Sequence, residues 1–302
     1  MSMRTPTTNQ YNLSLLNLQN VQAQIAQNTQ RLTSGNQITS PGDDPAGSAS
    51  ILDFQNSIQA NTQFLQQAST ANNLLQSAAD AFTGAIDGAN NLQVLAQQAL
   101  STPSTGATSM SSLAAQVGAI QNNLLSLANT QYQGVYVFAG AQTTTQPFTN
   151  SGLTYNNGTA SGPSDYLNLY VSPTSKVTTN IPGDQAFGTG TGSDLFKAVN
   201  DLYNGLTANS QAAVQTASTE LTSALNNLYQ QQAVVGGRQA GLADLQSSIS
   251  AINLSLQSAQ SGLQTTNIAQ TYTNLTSEQT AQQAILSTMA KTNTNNLFNY
   301  LT

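Results

Sequence analysis

Apolar residues recur along this chain in steps of three and four, over several long runs. One run is Leu242, Leu245, Ile249, Ile252, Leu256, Ala259 and Leu263. That spacing is a heptad seam, the stripe by which a helix packs lengthwise on another helix. The polar stretch Gln264-Thr265-Thr266-Asn267 follows. A second seam then starts in a shifted phase: Ile268, Tyr272, Leu275, Gln279, Gln282, Leu286 and Met289. A phase shift rotates the packing face, and no Gly or Pro interrupts the chain between Leu263 and Leu301. With no backbone breaker present, the pattern predicts one long terminal helix that serves two neighbours.

The other end has a seam of the same kind. Leu15, Leu18, Gln22, Ile25, Thr29 and Leu32 predict a short amphipathic helix, diluted by Gln like the extreme C-terminus. The shared style predicts that the two ends pair. A stripe so poor in apolar residues gains little on burial, so 1–40 and 268–302 are expected to be poorly ordered in the free monomer.

Arg31-Leu32-Thr33-Ser34-Gly35 ends the first helix, with Gly35 free to take the left-handed C-cap conformation. Pro41-Gly42-Asp43-Asp44-Pro45-Ala46-Gly47 restarts one. Asp44 suits the N-cap and Pro45 the first helical position, where its missing N–H costs nothing. Capping by such an aspartate contributes about 1 kcal/mol. A metal or acid–base role for the Asp43–Asp44 pair is disfavoured, because no other ligand type clusters with it. Arg31 is expected beside Asp43 or Asp44 across the 33–42 connection.

A long helix follows, with Ile51, Phe54, Ile58, Leu65, Ala68, Leu75, Ala79, Phe82, Ile86 and Ala89 on its seam and Asn61 and Asn72 as polar members. It runs to Leu100. Residues 101–106 read as a turn, and Leu113, Val117, Ile120, Leu124, Leu127 and Gln131 as a return helix. The character changes at Val135-Tyr136-Val137-Phe138, a β-branched and aromatic run. Gly, Thr, Pro and Asn then dominate to about Ser193. Within that stretch, 166–171 alternates like a half-buried strand, and 176–181 is a second candidate. Helix returns after Asp194, first with Leu195, Val199, Leu202 and Leu206. After a loop, Val214, Ala217, Leu221, Ala224, Leu228, Gln231 and Val235 form another seam, and Gly236-Gly237 is a candidate break. The predicted fold is mainly α: long antiparallel heptad-packed helices with paired termini, and a small β insert. The expected domains are a terminal helical assembly domain (1–40 and 268–302), a long-helix core (41–134 and 194–267) and a β-rich outer domain (135–193).

Composition narrows the chemistry. Only 6 % of the 302 residues are charged, against about 25 % in a typical soluble domain. The net charge of −6 argues against electrostatic capture of nucleic acid or an anionic membrane. There is no Cys, His or Trp, which removes disulfides, thiolate catalysis and Cys/His metal centres. No cofactor is expected. No apolar run approaches the ~18 residues of a membrane span, and the first residues lack a cleavable signal pattern. An uncleaved, secreted structural protein fits this composition.

Three motifs resemble one family. Arg31-Leu32-Thr33-Ser34-Gly35 with Ile38, then Asp43-Asp44-Pro45-Ala46-Gly47, resembles the N-terminal signature of the bacterial flagellin superfamily. Pro45, where flagellins usually carry Ala, resembles the branch at the hook–filament junction. Gly134-Val135-Tyr136-Val137-Phe138-Ala139-Gly140 with Pro147-Phe148 is similar to that branch's entry into its β domain. Asn296-Leu297-Phe298-Asn299-Tyr300-Leu301 resembles its Leu-Phe-Asp-Tyr-Leu ending, with Asn299 in place of Asp. The likeness spans roughly 1–140 and 196–302, with one departure: Thr5-Pro6-Thr7 stands where the family usually has a β-branched and Ser/Thr opening, which implies that the first helix starts late. It marks Arg31, Gly35, Asp43, Asp44, Pro45, Gly47, Leu297, Phe298, Tyr300 and Leu301 as an assembly signature.

The resemblance implies a secreted subunit of the flagellum, exported without signal cleavage and held before export by a flagellar chaperone at its C-terminal helix. It implies self-association into a ring of about eleven subunits, seated between the other junction protein and the first flagellin subunits. Two other readings remain open at this point. The chain could be a flagellin proper, against which Pro45 and the Leu297–Leu301 ending argue, or a non-flagellar coiled-coil fibre or adhesin. An enzyme is least favoured. It would have to work without His, Cys, a phosphate-binding Gly loop or a convergent acid pair. Asp80, Asp87 and Glu220 read as solvated helix residues.

Overall fold

The computed structural model describes residues 4–101, 107–149, 154–156, 166–170 and 176–298. Long helices dominate: α1 (Arg4–Ser34), α2 (Pro45–Ser101), α3 (Ala107–Ala128), α5 (Leu195–Thr207), α6 (Gln211–Gln264) and α7 (Ile268–Phe298), with a short α4 (Gly183–Phe187). Six short strands form three antiparallel pairs among the described residues. They are β1 (Gln131–Tyr132) with β2 (Val135–Tyr136), β3 (Phe148–Thr149) with β4 (Thr154–Tyr155), and β5 (Asn168–Tyr170) with β6 (Lys176–Thr178). The chain divides into two compact units, residues 1–60 with 251–302, and residues 61–250. Among the described residues no helix is long and apolar enough to cross a membrane.

In the 61–250 unit, the seam residues of α2, α3, α5 and α6 meet in one core. Leu75, Phe82, Leu92, Leu124, Leu202, Leu221 and Leu228 are fully buried there. Small residues share the α2 face, with Ala85, Ala89, Ala96 and Ala99 all inaccessible. Three polar rungs brace α2 against α6: Gln76 with Gln239, Thr83 with Gln232, and Gln93 with Thr222, at 3.0–3.1 Å. As the α2 partner advances by seven and then ten residues, the α6 partner retreats by the same steps. The two helices are therefore antiparallel in a single register. Lys197 on α5 bridges Asp201 at 2.7 Å and Glu220 of α6 at 2.9 Å, and these hydrogen bonds raise its ammonium pKa. Glu220 is thus part of an ion cluster and not the lone solvated acid expected from sequence.

The β segment enters the same core. Phe138, Phe148 and Phe187 are fully buried beside Phe82 of α2 and Phe196 of α5. Their rings stand 5.1–6.1 Å apart in edge-on and tilted pairs. The Tyr155 hydroxyl donates to the Phe138 carbonyl and accepts from the Gly183 amide, pinning β4 to the start of α4. A side chain at Gly183 would drive into Phe148 and Tyr155, at 2.6 Å from each ring. The Arg238 guanidinium on α6 holds the Asn180 carbonyl, and burial lowers its pKa.

Three expectations change. The terminal helix is not continuous: α6 stops at Gln264 and α7 starts at Ile268. The break therefore falls on a run without Gly or Pro. Gly236-Gly237, the expected breaker, lies inside an unbroken α6. Each helical Gly costs about 1 kcal/mol, which the buried neighbours Leu228, Val235 and Leu242 outweigh. α1 is helical from Arg4, with Pro6 in its first turn, where proline is tolerated. Residues 102–106 of the expected hairpin turn lie outside the described residues.

Candidate assembly site

The signature residues around the α1–α2 connection build one compact loop within the 1–60/251–302 unit. Gly35 closes α1 in the left-handed region, at φ +71°, and its amide donates to the Arg31 carbonyl at 2.9 Å. The chain then runs antiparallel to the α6–α7 junction. Gln37 N–H donates to the Gln264 carbonyl at 2.7 Å, and Thr266 N–H to the Gly35 carbonyl at 2.9 Å, around an Asn36–Thr265 bridge. This two-residue clasp explains the interrupted helix. It satisfies backbone groups that a continuous helix would have bonded to itself. Thr266 and Thr271 are buried and share a hydroxyl hydrogen bond at 3.0 Å, and Asn267 caps α7 through the Gln270 amide.

Asp43 organises the rest of the loop. Its Oδ2 accepts from the Thr39 amide, the Thr39 hydroxyl and the Ser40 amide at 2.8–3.0 Å, and its Oδ1 accepts from Gln27 Nε2 of α1 at 2.9 Å. The Thr39 hydroxyl, then the Thr39 and Ser40 amides, hold its pKa down to about 2. Asp44 caps α2 as expected, with its Oδ1 accepting from the Gly47 amide at 2.9 Å and Pro45 at the first helical position. Gly47 is closely crowded by its neighbours' side chains. A Cβ there would collide with the Asp44 carboxylate and stand 2.7 Å from Ile38 Cδ1. No ion pair joins Arg31 to either aspartate. Gln27 takes the place expected for Arg31, and Arg31 Nε is enclosed without an acceptor.

The two terminal helices pack together. α1 enters the clasp and α7 leaves it, so they run antiparallel. Their inner rows keep Leu18, Ile25, Leu32, Leu275, Gln282 and Met289 of the expected seams, while the alternate positions shift by one residue. On α1, Ser14, Leu18, Val21, Ile25, Asn28 and Leu32 are shielded; on α7, Thr271, Leu275, Glu278, Gln282, Ile285 and Met289 are. The residues displaced outward include Leu15, Ile268, Tyr272 and Leu286, which are 40–63 % exposed, and Leu13 and Leu16 join them at 55 % each. Asn28 is buried, and its Nδ2 reaches both carboxylate oxygens of Glu278 at 2.9 Å.

The structure thus unites Arg31, Gly35, Asp43, Asp44, Pro45 and Gly47 at one end of the helix pair. It separates them from Leu297 and Phe298 at the far end of α7, about 45 Å away along a helix of that length. Tyr300 and Leu301 lie outside the described residues. Sequence reasoning missed Gln27, Asn28, Thr39, Thr266, Thr271 and Glu278. One signal was available: Glu278 is the sole acid in α7, and a lone carboxylate in a helix of mostly uncharged polar residues is conspicuous. Among the described residues no three potential metal-ligating side chains converge.

Comparison with known proteins agrees with this architecture. Residues 7–143 match the bacterial flagellin N-terminal helical region. Flagellar hook-associated protein 3 of Escherichia coli (strain K12) is 25 % identical over 271 residues, covering 81 % of this chain and 83 % of that protein. A solved Vibrio parahaemolyticus structure, described as flagellar hook-associated, shares the fold with a TM-score of 0.66 at 18 % identity, covering 74 % of this chain and all of that one. The flagellar junction protein FlgL from Legionella pneumophila shares it at 0.56 and 18 % identity, covering 72 % and 100 %. The N-terminal part of the chain therefore matches the flagellin N-terminal helical region, and most of its length is similar to flagellar hook-associated protein 3.

Proposed function

We propose that this chain is a structural subunit of the bacterial flagellum that forms the junction between hook and filament. The observation that carries the reading is the likeness to hook-associated protein 3 over 81 % of the chain. The α1–α7 pair supports it, because large apolar residues on its outer rows (Leu13, Leu16, Ile268, Tyr272 and Leu286) are left uncovered in the single chain. Exposed apolar rows on paired helices suit packing between subunits.

In this reading, copies associate side by side into a ring of about eleven. The other junction protein stands on one side, and the first flagellin subunits stand on the other. A flagellar export chaperone covers the C-terminal helix beforehand. The protein is secreted and resides in the extracellular flagellum, and its role is structural rather than catalytic. Residues 1–40 and 268–302 form the assembly domain, 41–134 and 194–267 the core, and 135–193 the outward part. Arg31, Gly35, Asp43, Asp44, Pro45 and Gly47 shape the connection, and Leu297, Phe298, Tyr300 and Leu301 the terminal segment.

Deletion of the gene tests the proposal. The expected cell has hooks without filaments and releases flagellin into the medium. Cells that keep attached filaments would overturn it. Filaments assembled from the purified protein alone would favour a flagellin instead.

A further inference from the structure

Beyond the clasp at its base, where Gln37 and Gly35 meet Gln264 and Thr266, the α1–α7 interface has little along its length to fix its register. Its rows are heptad-periodic and diluted by Ser, Thr and Gln, so a slip of seven residues superposes one row on itself. One contact differs in kind. Glu278 is the sole carboxylate in α7, α1 has none, and both oxygens of Glu278 engage buried Asn28 at 2.9 Å.

We propose that the Asn28–Glu278 pair is the register lock of the terminal helices, the specificity determinant that selects one alignment of α1 with α7 from the heptad-related alternatives. Taking this pair as level, the antiparallel row order brings Leu18 level with Met289, Val21 with Ile285, Ile25 with Gln282 and Leu32 with Leu275. Apolar residues then face apolar residues at three of these levels, and the only carboxylate faces the only buried amide. A slip of one heptad in one direction sets Glu278 against Val21. The opposite slip sets Asn28 against Ile285. Either slip leaves a shielded polar group without a partner, a penalty large compared with the small differences among Leu, Gln and Thr pairings. The pair therefore acts against wrong alignments more than it strengthens the right one. It also determines how the outer rows of the two helices line up with each other.

Cysteine trapping tests this in the full chain, which has no cysteine of its own. Val21→Cys with Ile285→Cys reports the native register. Leu18→Cys with Gln282→Cys, and Ile25→Cys with Met289→Cys, report the two slips; in the native register their positions are offset by a heptad, about 10 Å, beyond disulfide reach. With Asn28 and Glu278 present, only the native bridge should close. With Asn28→Leu and Glu278→Leu together, the slipped bridges should close comparably with the native one while helical content is retained. A second route does not depend on that variant folding. Asn28→Glu alone, which sets two carboxylates level, should lose the native bridge. The exchange Asn28→Glu with Glu278→Asn should restore it. Native-only bridging in the leucine variant, or an unchanged native bridge in Asn28→Glu, would overturn the proposal and assign the register to the clasp at Gln37 and Gln264.

Discussion

The backbone N–H of Gln37 donates to the carbonyl oxygen of Gln264 at 2.7 Å, joining positions far apart in sequence across the one break between α6 and α7. This bond and its reciprocal, from Thr266 N–H to the Gly35 carbonyl, compensate for helical bonds given up at 265–267. The chain stops a helix here by offering a second backbone partner, with neither proline nor glycine in the broken segment.

Thr266→Val should therefore destabilise the terminal unit by about 1–3 kcal/mol, because it removes a buried hydroxyl and leaves the Thr271 hydroxyl unpaired. The double variant with Thr271→Val should recover much of that loss. Denaturant unfolding of the two proteins, followed by helix signal, makes the comparison.

Asp43 predicts a specific pH dependence. Its ordinary carboxylate value of 3.8 is lowered to about 2 in the folded chain, so folding favours the ionised form. The stabilisation is complete above the unfolded value. It is lost as pH falls through the window from about 4 to about 2, where the unfolded state takes up the proton first. Asp43→Asn should flatten the dependence of stability on pH within that window and leave the profile above it parallel to the parent. A pH series of unfolding midpoints reads this directly.

Glycines at two places should respond in opposite directions. Gly47→Ala forces a methyl group against the Asp44 carboxylate and Ile38, and should cost about 1–3 kcal/mol as an overpacked site. Gly236→Ala and Gly237→Ala place methyls in open space within a continuous helix. Each should raise stability by about 0.5–1 kcal/mol. Thermal melts of the three single variants decide the point.

Phe187 contacts Phe82, Phe138, Phe148 and Phe196. Phe187→Ala should cost about 3–5 kcal/mol. The same contacts bear on replacing 142–190 by a Gly-Ser linker. That deletion removes Phe148 and Phe187 from the core, so the remaining helices should lose cooperativity instead of persisting unaltered. Circular dichroism during denaturant unfolding distinguishes the two outcomes.

α1 and α7 offer each other rows that are mostly half-buried, whereas α2 from Ala68 to Ala99 is anchored by fully buried residues. In the free chain, amides of α1 and α7 should exchange with solvent well before those of 68–99. Equal protection of both regions in a hydrogen-exchange experiment would show the terminal pair to be as firmly held as the core.

Periodicity determined the helices of this protein, and the reason is local. A heptad row in Val214–Val235 or Leu113–Leu127 identifies a buried stripe whatever its partner. Asp44 before Pro45, and Asp194 before Leu195, mark helix starts through their own capping bonds. The turn residues Gly35, Asp43, Asp44, Pro45 and Gly47 were likewise legible, because each serves the turn or cap in which it sits. What the sequence alone could not decide were choices made by distant partners. Whether α1 packs on Leu15 and Thr29 or on Val21 and Asn28 is a rotation of one residue, and only the facing helix selects it. The polar run at 264–267 became a break because Gly35 and Gln37 supplied hydrogen bonds from more than two hundred residues away. Arg31 lost Asp43 to Gln27, one turn earlier on the same helix, because the folded loop sets the carboxylate beside that residue. Local propensity proposes elements cheaply, but the satisfaction of buried polar groups is settled between elements, and that information exists only once the chain has folded.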